Sequence, residues 1–346
     1  MFIKNDMLEK LKTEYRIYHN YFQDYKRSKA YQIRMYNVMH FRNYTANIQR
    51  ENHWLYQFLV NRVKVLDYTK KNIAIFGSGR RKTFSLNHDP IKIYYTLENN
   101  HVQGAIWQEC EDMLLDEKSL SLALGFDYIN HPKYLRIPWW VMTHFSPKAT
   151  YEDIRKWCEK VNNPTIQNRD KFCSFICRQD YFGDRIFFLN QTNTIANVNC
   201  PGDFCHNDDD LKTIFNDDKQ EYLRQFKFNL CPENSNDYGY VTEKIFDAHE
   251  AGCIPIYWGS DGKPELDILN QDAIVFIGKS YVSKLHFNSN KVENDESVLK
   301  LISDLYTYPT LYKEFAMQPR LKGNAPEIIY AYFERLEKKI IEIIKR

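Results

Sequence analysis

The sequence contains no uninterrupted apolar run approaching the ~18 residues of a membrane-spanning helix. Met1 to Lys12 already carries several charges, which does not suit a secretory leader. The chain also lacks a charge imbalance: 47 basic residues against 45 acidic ones leave a net +2. That balance gives no general case for nucleic-acid binding. Tight C-x2-C pairs are missing too. The eight cysteines are scattered, as reduced thiols are. The two near-pairs, Cys173-x3-Cys177 and Cys200-x4-Cys205-His206, are spaced too loosely for zinc knuckles. There is no internal repeat and no low-complexity tail. These absences predict a cytoplasmic protein. The Lys- and Arg-rich cluster from Lys10 to Arg34 allows peripheral contact with the cytoplasmic face of a membrane, although a solvated helix face accounts for it as well.

What is present is globular. Hydrophobic residues make up 43% and aromatics 15% of 346 residues, enough for one large domain or two ordinary ones. Short apolar runs at Val63 to Leu66, Ile73 to Phe76, Ile91 to Thr96 and Leu120 to Leu124 alternate with helical or turn segments. Tyr31 to Val38 has strand-like composition, and Glu51 to Arg62 spaces Trp54, Leu55, Phe58 and Leu59 along one helical face. The stretch from Ser146 to Lys171, with Pro147, Pro164 and a charged helical segment, is the candidate linker. Beyond it the pattern resumes. Phe172 to Cys177, Phe226 to Cys231, Ile254 to Trp258 and Ala273 to Ile277 read as strands. Asp184 to Leu189 reads as a helix, and Pro326 to Lys345 as a long amphipathic one. Such alternation predicts an α/β fold with parallel strands.

The richest segment runs from Phe226 to Trp258. A buried strand to Cys231 is followed by a polar loop holding Pro232, Asn234, Ser235, Asn236, Asp237 and Gly239. Thr242 is placed to cap a helix from Glu243 to Ala251, Gly252 suits its end, and a second buried strand follows. In such a β-loop-α-β unit, ligands sit at the carboxyl ends of the strands. The helix N-terminus offers free N–H groups and partial positive charge, a natural seat for a diphosphate. Lys244 in that first turn opposes the helix dipole and so asks for an anionic neighbour. On its own, Glu243-Lys244 also fits a plain surface pair.

Residues 228 to 259 closely resemble the donor-binding motif of the α-1,3/1,4-fucosyltransferases, glycosyltransferase family 10, and its bacterial members above all. The run Phe-Asn-Leu-Cys-x-Glu-Asn-Ser, then Tyr-Gly-Tyr-Val-Thr-Glu-Lys-Ile, then Ile-Pro-Ile-Tyr-Trp-Gly keeps the family's spacing throughout. A weaker resemblance covers most of residues 70 to 310. It includes Tyr94 to Asn99, the Gly125 to Pro138 stretch, and Ser174 with the downstream Arg185. The family has Gly where Leu97 stands and often an acidic residue where Asn100 stands. Residues 1 to 50 and the C-terminal helix have no clear counterpart.

The resemblance implies two facing Rossmann-like domains, the B-type glycosyltransferase fold. The expected division is 1–160 for the acceptor, 161–325 for the donor and 326–346 for a C-terminal amphipathic helix. It implies an inverting transfer of L-fucose from GDP-fucose to a glycan hydroxyl, with N-acetylglucosamine of a lactosamine-type unit as the expected acceptor and α-1,3 as the linkage. Glu98 would be the base. Arg185 and Lys244 would neutralise the diphosphate, Glu243 would hold the ribose, Tyr240 would pack near the nucleotide, and Asn234 would contact donor sugar or diphosphate. No metal would be required, with Mn²⁺ or Mg²⁺ at most stimulating. Three rivals stay open: a same-fold transferase for another GDP-deoxysugar, a non-catalytic sugar-nucleotide-binding protein, and a metal-dependent transferase built on Asp208-Asp209-Asp210. That tripeptide reads as a solvated loop.

Overall fold

The computed structural model describes residues 2–36, 50–77, 81–102, 111–114, 120–165, 169–278 and 296–346. They form two compact units, residues 1–148 with 331–346, and residues 149–330. Each unit is built on one five-stranded, all-parallel sheet. The α/β class expected from the alternating runs is therefore the observed one.

In the first unit the strands are β1 (Ile33–Tyr36), β2 (Ile73–Phe76), β3 (Ile91–Tyr95), β4 (Leu122–Gly125) and β5 (Tyr134–Arg136), paired in that order. Strands β2, β3 and β4 are buried along their whole length. That explains why they read as continuous apolar runs rather than alternating ones. A long N-terminal helix, α1 (Phe2–Ser28), packs beside β1. Tyr21 from α1 stacks on Tyr36 at 5.1 Å, Tyr36 on Phe76 at 5.0 Å, and Phe76 meets Phe84 at 4.8 Å. This aromatic ladder gives residues 2–36 a structural place in the unit. Burial pushes the Tyr36 hydroxyl up to about 12.

Two local expectations change. Residues 51–62 do not form one helix but three short pieces: a 3-10 turn (Arg50–Asn52), an α-turn (Trp54–Gln57) and a π-turn (Phe58–Arg62). The apolar face still holds, with Leu55, Phe58 and Leu59 fully buried. The run Val63 to Leu66 is not a strand. Lys64 turns left-handed at φ 56° and starts a helical turn, Val65–Tyr68.

The second unit has β6 (Lys171–Ser174), β7 (Val198–Asn199), β8 (Phe226–Pro232), β9 (Ile254–Trp258) and β10 (Val275–Phe276), in the order β10-β9-β8-β6-β7. The chain thus builds outward from β6 to β7 and then restarts on the other side with β8. The switch point lies between β6 and β8, where a doubly wound sheet opens its ligand crevice. The helices of this unit include α2 (Tyr151–Asn162), α3 (Asp184–Asn193), α4 (Lys219–Leu223), α5 (Lys244–Ala251), α6 (Glu296–Thr307) and α7 (Pro309–Ala316), and α8 (Ala325–Lys345) begins in it and ends in the first unit.

The expected linker holds a packed helix. Thr150 and Asp153 form a reciprocal capping box at the start of α2, and Ile154, Cys158 and Val161 are buried. Trp157 lies 6.3 Å from Phe246 and donates through Nε1 to Glu250 at 3.0 Å. The division therefore falls at 148/149, ahead of α2, where 160/161 was expected. Residues 331–346 of α8 belong to the first unit rather than standing apart. There Tyr332 meets Arg136 at 2.6 Å and Glu337 meets Arg62 at 3.0 Å.

Two buried arginines finish helix ends inside the second unit. Arg169 donates to Ala251 O at 2.6 Å. Arg320 reaches Val161 O, Gly252 O and Ala316 O at 3.2–3.3 Å, the closing carbonyls of α2, α5 and α7. Burial pulls the Arg320 pKa down to about 10. No helix among the described residues is long and apolar enough to cross a membrane.

Candidate functional site

The loops at the carboxyl ends of β6 and β8 carry the charged residues of the second unit's crevice. After β6 the chain passes through a loop to Gly183, whose φ of 76° starts α3, and Arg185 stands in the first turn. Arg185 is buried, and its guanidinium donates to Gln179 O at 2.6 Å, to Cys177 Sγ at 3.3 Å and to the Asn234 amide oxygen. Its Nε has no hydrogen-bond partner among the described residues. After β8 come Glu233 and Asn234. Tyr240, 2% exposed, lies in the loop that leads on to α5, and Gly239 before it has φ 87°.

Helix α5 begins at Lys244 with Glu243 as its N-cap residue, one position later than expected. Thr242 does not cap it. Its hydroxyl and amide instead bind the carboxylate of Glu233, at 2.6 and 2.8 Å. Lys244 Nζ donates to Glu233 Oε2 at 3.0 Å and to Thr242 Oγ1 at 2.7 Å. The Glu233 side chain is fully buried and that of Lys244 is 18% exposed. Burial alone would lower the Lys244 pKa, but Glu233 and Glu243 outweigh it and hold it above its ordinary value. Burial likewise pushes the Glu243 carboxyl up, but Lys244 and Lys219 outweigh it and keep the carboxyl below its ordinary range. Lys219, from α4, is itself fixed by an ion pair with Asp247 one turn further along α5.

Four of the five expected donor-side residues are thus drawn together. Asn234 touches Arg185, its neighbour Glu233 binds Lys244, and Glu243 adjoins Lys244. Tyr240 shares their loop. Glu233 stands in the family-like motif Phe-Asn-Leu-Cys-x-Glu-Asn-Ser but had no role of its own there, and Lys219, a lone lysine on a short helix, carries no pattern. Beside this cluster, at the ends of β9 and β10, lies a cleft of about 480 Å³ lined by Asn236, Trp258, Gly259, Asp261, Lys263 and Phe276 among others. Gly259, at φ 141°, has no room for a side chain, because a Cβ there would stand 2.7 Å from Glu233 Cγ.

Glu98 belongs to the first unit. It follows β3, half-buried, as expected of a strand-end carboxylate. The Thr96 hydroxyl lies 3.1 Å from both the Glu98 carbonyl and Asn100 Oδ1, and Asn99 Oδ1 accepts from His101 N at 2.9 Å. Asn99 and Asn100 are buried. Asn100, at a position where an acid is frequent in the resembled family, thus builds the turn that presents Glu98. Of the other acids nearby, Asp127 is buried and paired with His101 at 2.9 Å, while Glu109 lies outside the described residues.

The tripeptide Asp208-Asp209-Asp210 differs from the solvated loop expected. Asp208 is buried and accepts from Asn199 at 2.7 Å and Tyr222 at 2.8 Å. Asp209 pairs with His206, and Asp210 with Lys171. The three carboxylates are directed to separate partners. Among the described residues no group of three or more His, Cys, Asp or Glu is placed to hold a metal ion.

Residues 166–300 match the model of the glycosyltransferase family 10 (fucosyltransferase) C-terminal domain. The chain is 31% identical over 193 residues to an alpha-(1,3)-fucosyltransferase of Helicobacter pylori, an alignment covering 54% of this chain and 35% of that protein. It is 28% identical over 178 residues to a putative fucosyltransferase of Acanthamoeba polyphaga mimivirus, covering 49% of this chain and 27% of the relative. The chain therefore matches only about a third of the length of these relatives. A crystal structure of an alpha1,3-fucosyltransferase shares the fold, with TM-score 0.54 at 20% identity over 83% of this chain and 85% of that one.

Proposed function

We propose that this chain, a member of glycosyltransferase family 10 through its residues 166–300, transfers L-fucose from GDP-fucose to a hydroxyl of a glycan. The observation that carries the reading is the meeting of Arg185, Asn234 and the Glu233–Lys244 pair at the switch point of the second sheet. Two cations and a helix N-terminus there suit a diphosphate.

The chemistry assigned to the site is a single displacement. The acceptor oxygen attacks the anomeric carbon of fucose as the bond to the β-phosphate oxygen breaks, and the configuration inverts. Arg185 and Lys244 stabilise the charge that grows on the departing GDP. Glu98 takes the hydroxyl proton. Glu243, kept ionised by its two lysine neighbours, accepts from the ribose hydroxyls. Tyr240 packs near the nucleotide, and Asn234, already held by Arg185, contacts donor sugar or diphosphate. The acceptor in this reading is an N-acetylglucosamine of a lactosamine-type unit, linked α-1,3. A divalent ion is dispensable, because side-chain cations and the start of α5 do its electrostatic work.

Calorimetry with GDP-fucose, GDP and UDP-galactose tests the donor. Tighter binding of UDP-galactose would overturn it. Transfer from GDP-fucose to free oligosaccharides, with NMR of the product, tests the acceptor. Complete, metal-reversible loss of transfer in EDTA would remove the metal-free mechanism.

A further inference from the structure

We propose that Glu233 is a positioning residue for the donor site: its buried carboxylate fixes the Lys244 ammonium in the one pose from which it can meet a diphosphate. This rests on the donor reading above and adds a residue to it.

Glu233 is 0% exposed, yet its carboxylate is fully engaged. Oε2 accepts from Lys244 Nζ at 3.0 Å and from the Thr242 hydroxyl at 2.6 Å. Oε1 accepts from Thr242 N at 2.8 Å and lies 3.5 Å from the Tyr257 hydroxyl. The backbone is held as well, since Glu233 N donates to Trp258 O at 2.9 Å. Gly259 leaves the space that the Glu233 side chain occupies. Anchors from β9, from the loop before α5 and from the first turn of α5 thus converge on one residue.

What they immobilise is the ammonium. Lys244 has three N–H donors. One goes to Glu233 and one to Thr242, whose hydroxyl is itself oriented by Glu233. The geometry leaves a single N–H direction for a ligand. A lysine on a flexible four-carbon stem is otherwise a poorly aimed cation. Burying a carboxylate merely to form an ion pair contributes little to stability. A role in aiming the cation accounts for the arrangement.

The charged and titratable groups that act on Lys244 are Glu233 after β8, Glu243 at the N-cap of its own helix, Arg185 on α3 and the Cys231 thiol on β8. Of these, Glu233 has the largest influence raising the Lys244 pKa against the lowering effect of burial. Removing the Glu233 charge therefore brings that pKa down.

The test is a double-mutant cycle on the full chain, with GDP affinity read by calorimetry and Lys244 titration read from its carbon-13 Cε resonance. That resonance is assigned by its loss in Lys244→Ala. Glu233→Gln should weaken GDP binding at least about fivefold and move the Lys244 titration to lower pH. In the Lys244→Ala background the same substitution should change GDP affinity less than about twofold. Thr242→Val, which removes only the bridging hydroxyl, should show the same dependence on Lys244 and serves if Glu233→Gln does not fold. Additive losses, or a Glu233→Gln protein that binds GDP like wild type, would overturn the proposal and leave the donor reading standing. A folded wild type that binds no GDP would overturn the donor reading, and this inference with it.

Discussion

Arg185 and Asn234 meet across the gap between β6 and β8, the guanidinium donating to the amide oxygen. One residue follows each strand on either side of the sheet's switch point, so the contact joins the two loops that line the crevice. It also leaves the amide nitrogen of Asn234 and the Arg185 Nε to face other partners, and the latter has none among the described residues.

Arg185→Ala and Lys244→Ala should each weaken GDP and GDP-fucose binding by about 10- to 100-fold, the loss of one charge-assisted bond to phosphate. Lys244→Arg should restore only part of it, since a planar guanidinium cannot take the place of an ammonium held at 3.0 Å from Glu233. Calorimetric affinities near wild type in both alanine variants would remove these residues from the site.

Glu98→Ala should lower kcat for transfer by at least about 100-fold, and Glu98→Gln nearly as much, because the amide keeps shape without basicity. GDP affinity should stay within about threefold of wild type, under about 1 kcal/mol. The measurement is steady-state transfer alongside calorimetry. Near wild-type turnover in both variants would shift attention to Asp127, which shares the first unit with its partner His101.

Donor binding should hold through neutral pH and fail on the acid side. Glu243 has a depressed pKa despite its burial, so its charge is present above the ordinary carboxylate range and is lost only as pH falls through the lowered value. Lys219→Met takes away one of the two cations responsible. The acid limb of GDP binding should then move to higher pH, with affinity at pH 7.5 little changed. An unmoved limb would show that Lys219 does not act on Glu243.

Arg320→Ala should destabilise the second unit. The guanidinium serves carbonyls at the ends of three helices and is 2% exposed, so truncation leaves buried acceptors unsatisfied. The expected cost is about 3 kcal/mol, or roughly 6–12 °C in the Tm of a unit of this size. Scanning calorimetry checks it, and a shift under about 2 °C would contradict it.

Much of this was readable from sequence where local chemistry decides the outcome. Ile254 to Trp258 is a strand because five buried apolar residues in a row have no other home in an α/β fold. Gly252 ends α5 at φ 84°, as a glycine just after the helical stretch and shortly before Pro255 suggests. The strand, loop and helix between Phe226 and Trp258 were legible for the same reason, while the roles expected of their side chains came from the resemblance to a known family. Three kinds of feature were not. Strand β7 is two residues long and β5 three, too short for a period to show. The sheet order depends on Lys171 pairing with Phe226 far along the chain, a non-local choice. The role of Thr242 depended on competitors, because Glu233 accepts from its hydroxyl and amide while Lys244 Nζ donates to the oxygen that a helix cap would have used.

The return of residues 331–346 to the first unit has a consequence for the order of assembly on the ribosome. Phe333 in that stretch packs on Trp54, Phe58 and Phe145, and Leu336 is fully buried. The unit whose synthesis begins first is therefore completed last. Residues 149–330 have their whole parallel sheet before the closing helix of the other unit has been made. The earlier-born sheet must wait, with the apolar surface around Trp54 and Phe58 still open, until residues 331–346 emerge to cover it.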